Sequence, residues 1–135
     1  MSEPRAEQKK PKVVREATVV RRIITYVHRL GGVIRKSHGT MFGVSADPDF
    51  YGVLKGRGFG VEAKTRALTS KATAAQKERL KEWARAGAIT GIVRDLDEFR
   101  ALMLRAGVVT PEEDQRAMTW GQRKPKAETA QQGDS

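Results

Sequence analysis

The sequence predicts an α/β domain: a small mixed β-sheet flanked by helices, with elements in the order α-β-β-β-α-β-α-α. Three observations carry this. Segments with helical periodicity alternate with strand-length runs, the pattern of strands and helices packed in layers. Residues 47–64, DPDFYGVLKGRGFGVEAK, read as two strands joined by a glycine-containing turn. The run AITGIVRD at 88–95 is largely apolar, as expected of a strand covered on both faces.

The elements follow in order. In VVREATVVRRIITYVHRLGG (13–32), Val13, Ala17, Val20, Ile24 and Val27 repeat with helical spacing, and Ile23 and Leu30 widen the stripe. Gly31-Gly32 ends the helix. GVIRKS (32–37) is a short strand, and DPDFYGVL (47–54) a second. LKGRG (54–58) supplies the turn, and FGVEAK (59–64) returns as the third strand. After a loop at 66–72, TAAQKERLKEWARAG (73–87) is a helix that stops on a glycine. Beyond the apolar strand, Asp95 caps a helix through Phe99, Leu102, Met103 and Ala106, with Glu98 completing a capping box. Thr110-Pro111-Glu112-Glu113 opens one more short helix.

At 135 residues the chain is long enough for one core and too short for two. Residues 1–12 and 121–135 are polar, contain proline and lack large apolar side chains, so both are expected to be disordered tails around a domain at 13–120. The formal charge is +10. The first twelve residues hold four basic and two acidic groups, and the last fifteen hold three and two, which leaves +7 on the domain itself. A basic domain favours a polyanionic partner, most simply nucleic acid. There is no cysteine, which excludes disulfides and thiolate zinc sites and makes the cytoplasm the natural compartment. No apolar run approaches the length of a membrane span, and no repeat is present.

Against this basic background, the hairpin gathers carboxylates. Side chains alternate along a strand, so Val61 and Ala63 can enter the core while Glu62 and Lys64 point the other way. Asp49, on the partner strand, follows Pro48 and is in phase with Tyr51 and Val53, which favours it over Asp47 as the group beside Glu62. Two carboxylates at such range repel unless a cation joins them, and a hard divalent ion suits one or two carboxylates plus substrate phosphate. On the following helix Gln76 shares the face of Thr73, Leu80, Trp83 and Ala84. It fits two roles: a capping-box glutamine with Thr73, or a polar group turned toward the carboxylates. Glu16 falls in line with Val20, Ile23 and Val27. It too fits two roles, an acid placed at a helix N-terminus or a group looking into the site.

Glu16, Pro48-Asp49, Glu62-x-Lys64 and Gln76, in this order, resemble the VRR-NUC family of PD-(D/E)XK nucleases, over about residues 13–105. In place of the family's short G-x-P-D lead-in, this chain has Gly43-Val-Ser-Ala-Asp-Pro48-Asp49. The resemblance implies a restriction-endonuclease-like core and metal-dependent hydrolysis of DNA phosphodiesters. It makes Asp49, Glu62 and the backbone carbonyl of Ala63 the ligands of Mg²⁺ or Mn²⁺. Lys64 would orient water or offset phosphate charge, and Glu16 and Gln76 would fix ligands by hydrogen bonds. Stand-alone proteins of this length resemble virus-type enzymes that act as homodimers on branched DNA, including four-way junctions.

Arg35, Lys36, Lys55, Arg57 and Arg66 flank the site in sequence and are the expected DNA contacts. The LKGRG turn either enters a groove or is simply tight. Arg15, Arg21, Arg22 and Arg29 lie mostly off the apolar stripe of the first helix, a solvated face that is also able to meet phosphates. His28 and His38 have no ligand spacing, and Trp83 and Trp120 are expected to pack. The competing readings are a non-catalytic nucleic-acid-binding module and a basic partner-binding domain.

Overall fold

The computed structural model describes residues 16–37, 47–64 and 71–121. The expected tails at 1–12 and 122–135, the loop containing His38, and Val13, Arg15 and Arg66 lie outside the described residues. The elements are α1 (Glu16–Arg29), β1 (Val33–Lys36), β2 (Phe50–Leu54), β3 (Arg57–Ala63), α2 (Ala74–Arg85), β4 (Ile89–Val93), α3 (Leu96–Arg105) and α4 (Pro111–Met118). Their order is the one the periodicities predict.

The four strands form one sheet in sequence order. β1 and β2 are antiparallel, as are β2 and β3, while β4 runs parallel to β3 after the α2 crossover. The hairpin is tighter than the expected five-residue turn. Leu54 already pairs with Arg57, so only Lys55 and Gly56 form the loop, at φ 53° and 81°. Positive φ at both central residues matches the right-handed twist of the flanking strands, the geometry of a type I′ turn. β3 therefore starts at Arg57, two residues earlier than expected. β2 starts only at Phe50, which leaves Asp47–Asp49 outside the strand and free to bend.

One face of the sheet carries the core. Phe50, Leu54, Phe59, Val61, Ala63, Ile89 and Val93 meet Val19, Val20, Ile23, Tyr26 and Val27 of α1 and Phe99 and Met103 of α3. Phe99 is its centre, with Tyr26 and Phe59 edge-on to it at 6.1 and 5.6 Å. The buried stripe of α1 is rotated from the one expected: Ala17 is exposed, and Val19 and Tyr26 are buried instead. Tyr26 enters because its hydroxyl has a partner. It donates to Asp114 Oδ1 at 2.6 Å, and Asp114 also receives Arg100 on both oxygens at 2.9 and 2.7 Å. This network ties α1, α3 and α4 together. Arg29 adds a bond to the carbonyl of Ala117 at 3.1 Å.

The helix starts follow local chemistry. Thr73 and Gln76 form a reciprocal capping box, as do Thr110 and Glu113. The capping box expected at α3 is not formed. Asp95 does accept from the Glu98 N–H at 2.9 Å, but the Glu98 carboxylate reaches past it to the Arg94 N–H at 2.7 Å. Among the described residues no helix is long and apolar enough to cross a membrane.

Candidate active site

On the second face of the sheet, α2 covers β3 and β4. Trp83 makes this possible by lying over Gly60: a Cβ at position 60 would come within 2.6 Å of the indole. With no side chain there, the helix settles close and its N-terminus arrives beside the end of β3. Glu62 and Lys64 are on this same face, as the strand alternation requires. Val61 and Ala63 are in the core.

Glu62 is the centre of the arrangement and is almost fully enclosed, at 1% exposure. Its Oε2 accepts from Gln76 Nε2 at 2.8 Å and lies 3.2 Å from Lys64 Nζ. Gln76 fills both of its expected roles at once. Its amide oxygen accepts from the Thr73 N–H at 2.9 Å, while its amide nitrogen holds Glu62. The cap therefore aims the side chain. Lys64 leaves β3 but stays anchored through its N–H to the carbonyl of Val93 at 2.9 Å.

Asp49 meets this group from β2. Its Oδ2 accepts from the Ala63 N–H at 2.9 Å, and its charge acts on the Glu62 carboxyl. Asp47 turns elsewhere, 3.8 Å from Arg79 of α2. In a strand the N–H and C=O of one residue face the same neighbour, so the Ala63 carbonyl is turned to the Asp49 side. Burial, and then the Asp49 charge, push the Glu62 carboxyl up to about 7, with Lys64 working against both. Glu62 Oε1 is buried and has no hydrogen-bond partner.

That orphaned oxygen tests whether a cation fits. A buried carboxylate oxygen without a donor, in a group that the charge of a second carboxylate acts on, is the electrostatic complement of a hard cation. Among the described residues no three His, Cys, Asp or Glu side chains converge. A two-carboxylate site therefore suits an ion that keeps waters and takes substrate oxygens, as magnesium does.

The other expected residues divide. Arg35 pairs with Tyr51, and Ser37 donates to the Asp49 carbonyl, so β1 brings Arg35 and Lys36 to the same end of the sheet as Asp49. Lys55 and Arg57 are not brought there. They sit at the turn, and Arg57 is five residues along β3 from Glu62, about 16 Å at strand rise. Lys55 pairs with Glu113 and Arg57 donates to the Gly87 carbonyl. Glu16 opens α1, but its side chain lies outside the described residues. Arg79 was not anticipated. It is one turn after Gln76, and that spacing was the available signal. Trp83 packs as expected; Trp120 does not, being 57% exposed.

A solved VRR_NUC domain superposes with a TM-score of 0.55 at 25% identity, covering 65% of this chain and 92% of that one. The fold is that of a VRR_NUC domain. No family model matches the chain, and no curated protein does. The superposed share amounts to most of the VRR_NUC domain and about two thirds of the present chain.

Proposed function

We propose that the chain is a metal-dependent endonuclease that hydrolyses DNA phosphodiester bonds. The observation that carries this reading is the buried Glu62, held by Gln76 and Lys64 on one oxygen and left without a partner on the other, with the Asp49 charge acting on it. The likeness to a VRR_NUC domain supports a nuclease, and the charge of +10 supports a nucleic-acid substrate.

Asp49, Glu62 and the Ala63 carbonyl are the groups that would hold Mg²⁺ or Mn²⁺. The chemistry such a cation supplies is polarisation of the scissile phosphodiester and acidification of the attacking water. The chain's own residues do the rest. Gln76 fixes the rotamer of Glu62, so that its open oxygen keeps its direction. The Ala63 N–H does the same for Asp49. Lys64, only 16% exposed, presents a localised positive charge at the reaction centre, where it offsets charge that grows on the phosphate oxygens. Arg35, paired with Tyr51 on the face that carries Glu62, approaches from β1 and positions the backbone of the substrate, and Lys36 adds positive charge at the same end of the sheet.

We propose further that the substrate is branched DNA, such as a four-way junction, and that the enzyme acts as a homodimer in the cytosol. One active site makes one nick, and symmetric resolution needs two sites related by a two-fold axis. Support for a second copy comes from the half of the sheet that α2 leaves uncovered. There Val33 and Val53, direct cross-strand partners, are 51% and 49% exposed beside Tyr51.

The test incubates the chain with a four-way junction, a flap, a linear duplex and a single strand, with Mg²⁺ and with EDTA. Mg²⁺-dependent cleavage with preference for the branched substrates is expected. Binding without cleavage in any metal would identify a non-catalytic module instead.

A further inference from the structure

The grip on nucleic acid need not be confined to the carboxylates. Arg22 and Arg29 are seven residues apart on α1 and Thr25 lies between them, so all three share one exposed face. This face borders two grooves, of about 270 and 410 Å³, that meet at Arg29. The first runs from Arg21 and Arg22 to Met118, and the second from Arg29 past Arg116 to Trp120. Arg29 is held in place by the Ala117 carbonyl, which joins the end of α4 to α1.

Charge along this track is predominantly positive. Among the described residues Arg21, Arg22 and Arg116 have no ion-pair partner. Of the three acids of α4, Glu113 holds Lys55 and the Thr110 N–H, Asp114 holds Arg100 and Tyr26, and Glu112 is exposed. At the end of the track stands Trp120, an indole with more than half its surface in solvent. Among the described residues Trp120 is the most exposed aromatic side chain, ahead of Tyr51 at 39%.

We propose that the α1–α4 groove is a second nucleic-acid site, which takes a single-stranded segment, with phosphates on Arg22, Arg29 and Arg116 and a base stacked on Trp120. The assignment of nucleic acid as the partner rests on the nuclease reading above. The chemistry is that of single-strand binding, in which cations follow the backbone and an aromatic side chain offers a sequence-tolerant stacking surface. A duplex keeps its base faces inside the stack and has nothing to offer the indole. From Arg22 to Arg29 the helix rises about 10 Å, the axial length of about three nucleotides. The sheet separates this groove from Glu62, because α1 and α4 lie against the core face and Gln76 reaches the site from α2 on the other. One segment of substrate bound at the carboxylates and another bound here would be held on opposite sides of the molecule, which fits a branched substrate with unpaired strands at its junction.

The test uses the full chain in EDTA, with Trp83→Phe leaving Trp120 as the remaining one of the two tryptophans. A short oligothymidylate is titrated while Trp120 emission is followed. Saturable quenching is expected, with a log–log salt slope that becomes shallower by about 0.7 for each of Arg22→Ala and Arg116→Ala. In otherwise unaltered protein, Trp120→Ala should weaken binding of a labelled oligonucleotide about 5- to 100-fold by anisotropy. Emission that ignores the oligonucleotide, a salt slope unchanged in the two arginine variants, or equal quenching by a duplex of the same length overturns the proposal. Lys64→Ala in the same background should quench as fully as its parent, so failure of this groove and failure of the nuclease reading give different results.

Discussion

Replacing Glu62 by Gln should make the metal-free protein more stable. At pH 8, above the value of about 7 to which burial and Asp49 push it, Glu62 is ionised with Oε1 buried and unpartnered. The cost of such a group is about 1–3 kcal/mol. Gln has the same shape. It can keep its amide oxygen toward Gln76 and Lys64 and turn its NH₂ toward Asp49, where it becomes a donor to a carboxylate instead of a second charge. The expected gain in EDTA is therefore about 1–3 kcal/mol, or about 4 °C in Tm for each kcal/mol in a domain of this size. Mg²⁺ should reverse the order. Bound at a hundred times its Kd it stabilises the parent by about 2.7 kcal/mol, and it should leave the variant nearly unmoved. Thermal unfolding followed by circular dichroism, with EDTA and with Mg²⁺, measures both effects without an activity assay. A variant less stable than its parent in EDTA, with an undiminished Mg²⁺ shift, would refute the role given to Oε1.

Lys64→Ala and Asp49→Ala should each abolish cleavage while DNA affinity, measured by filter binding, stays within a few-fold, because the basic surface is untouched. Asp114→Asn should destabilise the fold by about 1–3 kcal/mol through loss of a charged partner for Arg100. Arg100 holds the Asp114 carboxyl below its ordinary range, so this stabilisation is complete above that range and is lost as pH falls through the folded value. Denaturant titrations should show the gap between parent and variant closing on acidification. Val33→Asp with Val53→Asp should convert a dimer to a monomer in analytical ultracentrifugation; a dimer that persists would place the interface elsewhere.

The fold and the centre of the site were legible because both are set by short-range rules. Alternation along β3 separates Val61 and Ala63 from Glu62 and Lys64, and the Thr73-x-x-Gln76 spacing announces the cap of α2. Asp49, the acid that follows the proline, is the one whose charge acts on Glu62, while Asp47 lies near Arg79. Contacts made by distant segments were not legible. The expected five-residue turn is only Lys55-Gly56, and Lys55 and Arg57, grouped with the site by sequence proximity, stay at the turn end of the hairpin, away from Glu62. The burial of Tyr26 depends on Asp114, 88 residues away, which no periodicity of α1 reports. Trp120 looked like a packing residue because composition favours burial of tryptophan, whereas it follows the end of α4 at Met118 and lines the rim of a groove.

The double use of Gln76 explains why the site sits where α2 begins. A helix N-terminus carries unpaired N–H groups and a positive partial charge, and both favour nearby anions. Thr73 takes up the Gln76 N–H, and the Gln76 oxygen takes up the Thr73 N–H, so the cap is complete within the chain. What remains is the amide NH₂, which donates to Glu62 Oε2. The same contacts that start the helix therefore decide which oxygen of Glu62 is occupied, and so which one is left without a partner. Because Gly60 lets Trp83 lie directly on β3, the spacing between the cap and the carboxylate is fixed by packing rather than by a flexible side chain. A site assembled in this way is positioned before any cation or phosphate arrives, and binding is spared the cost of ordering it.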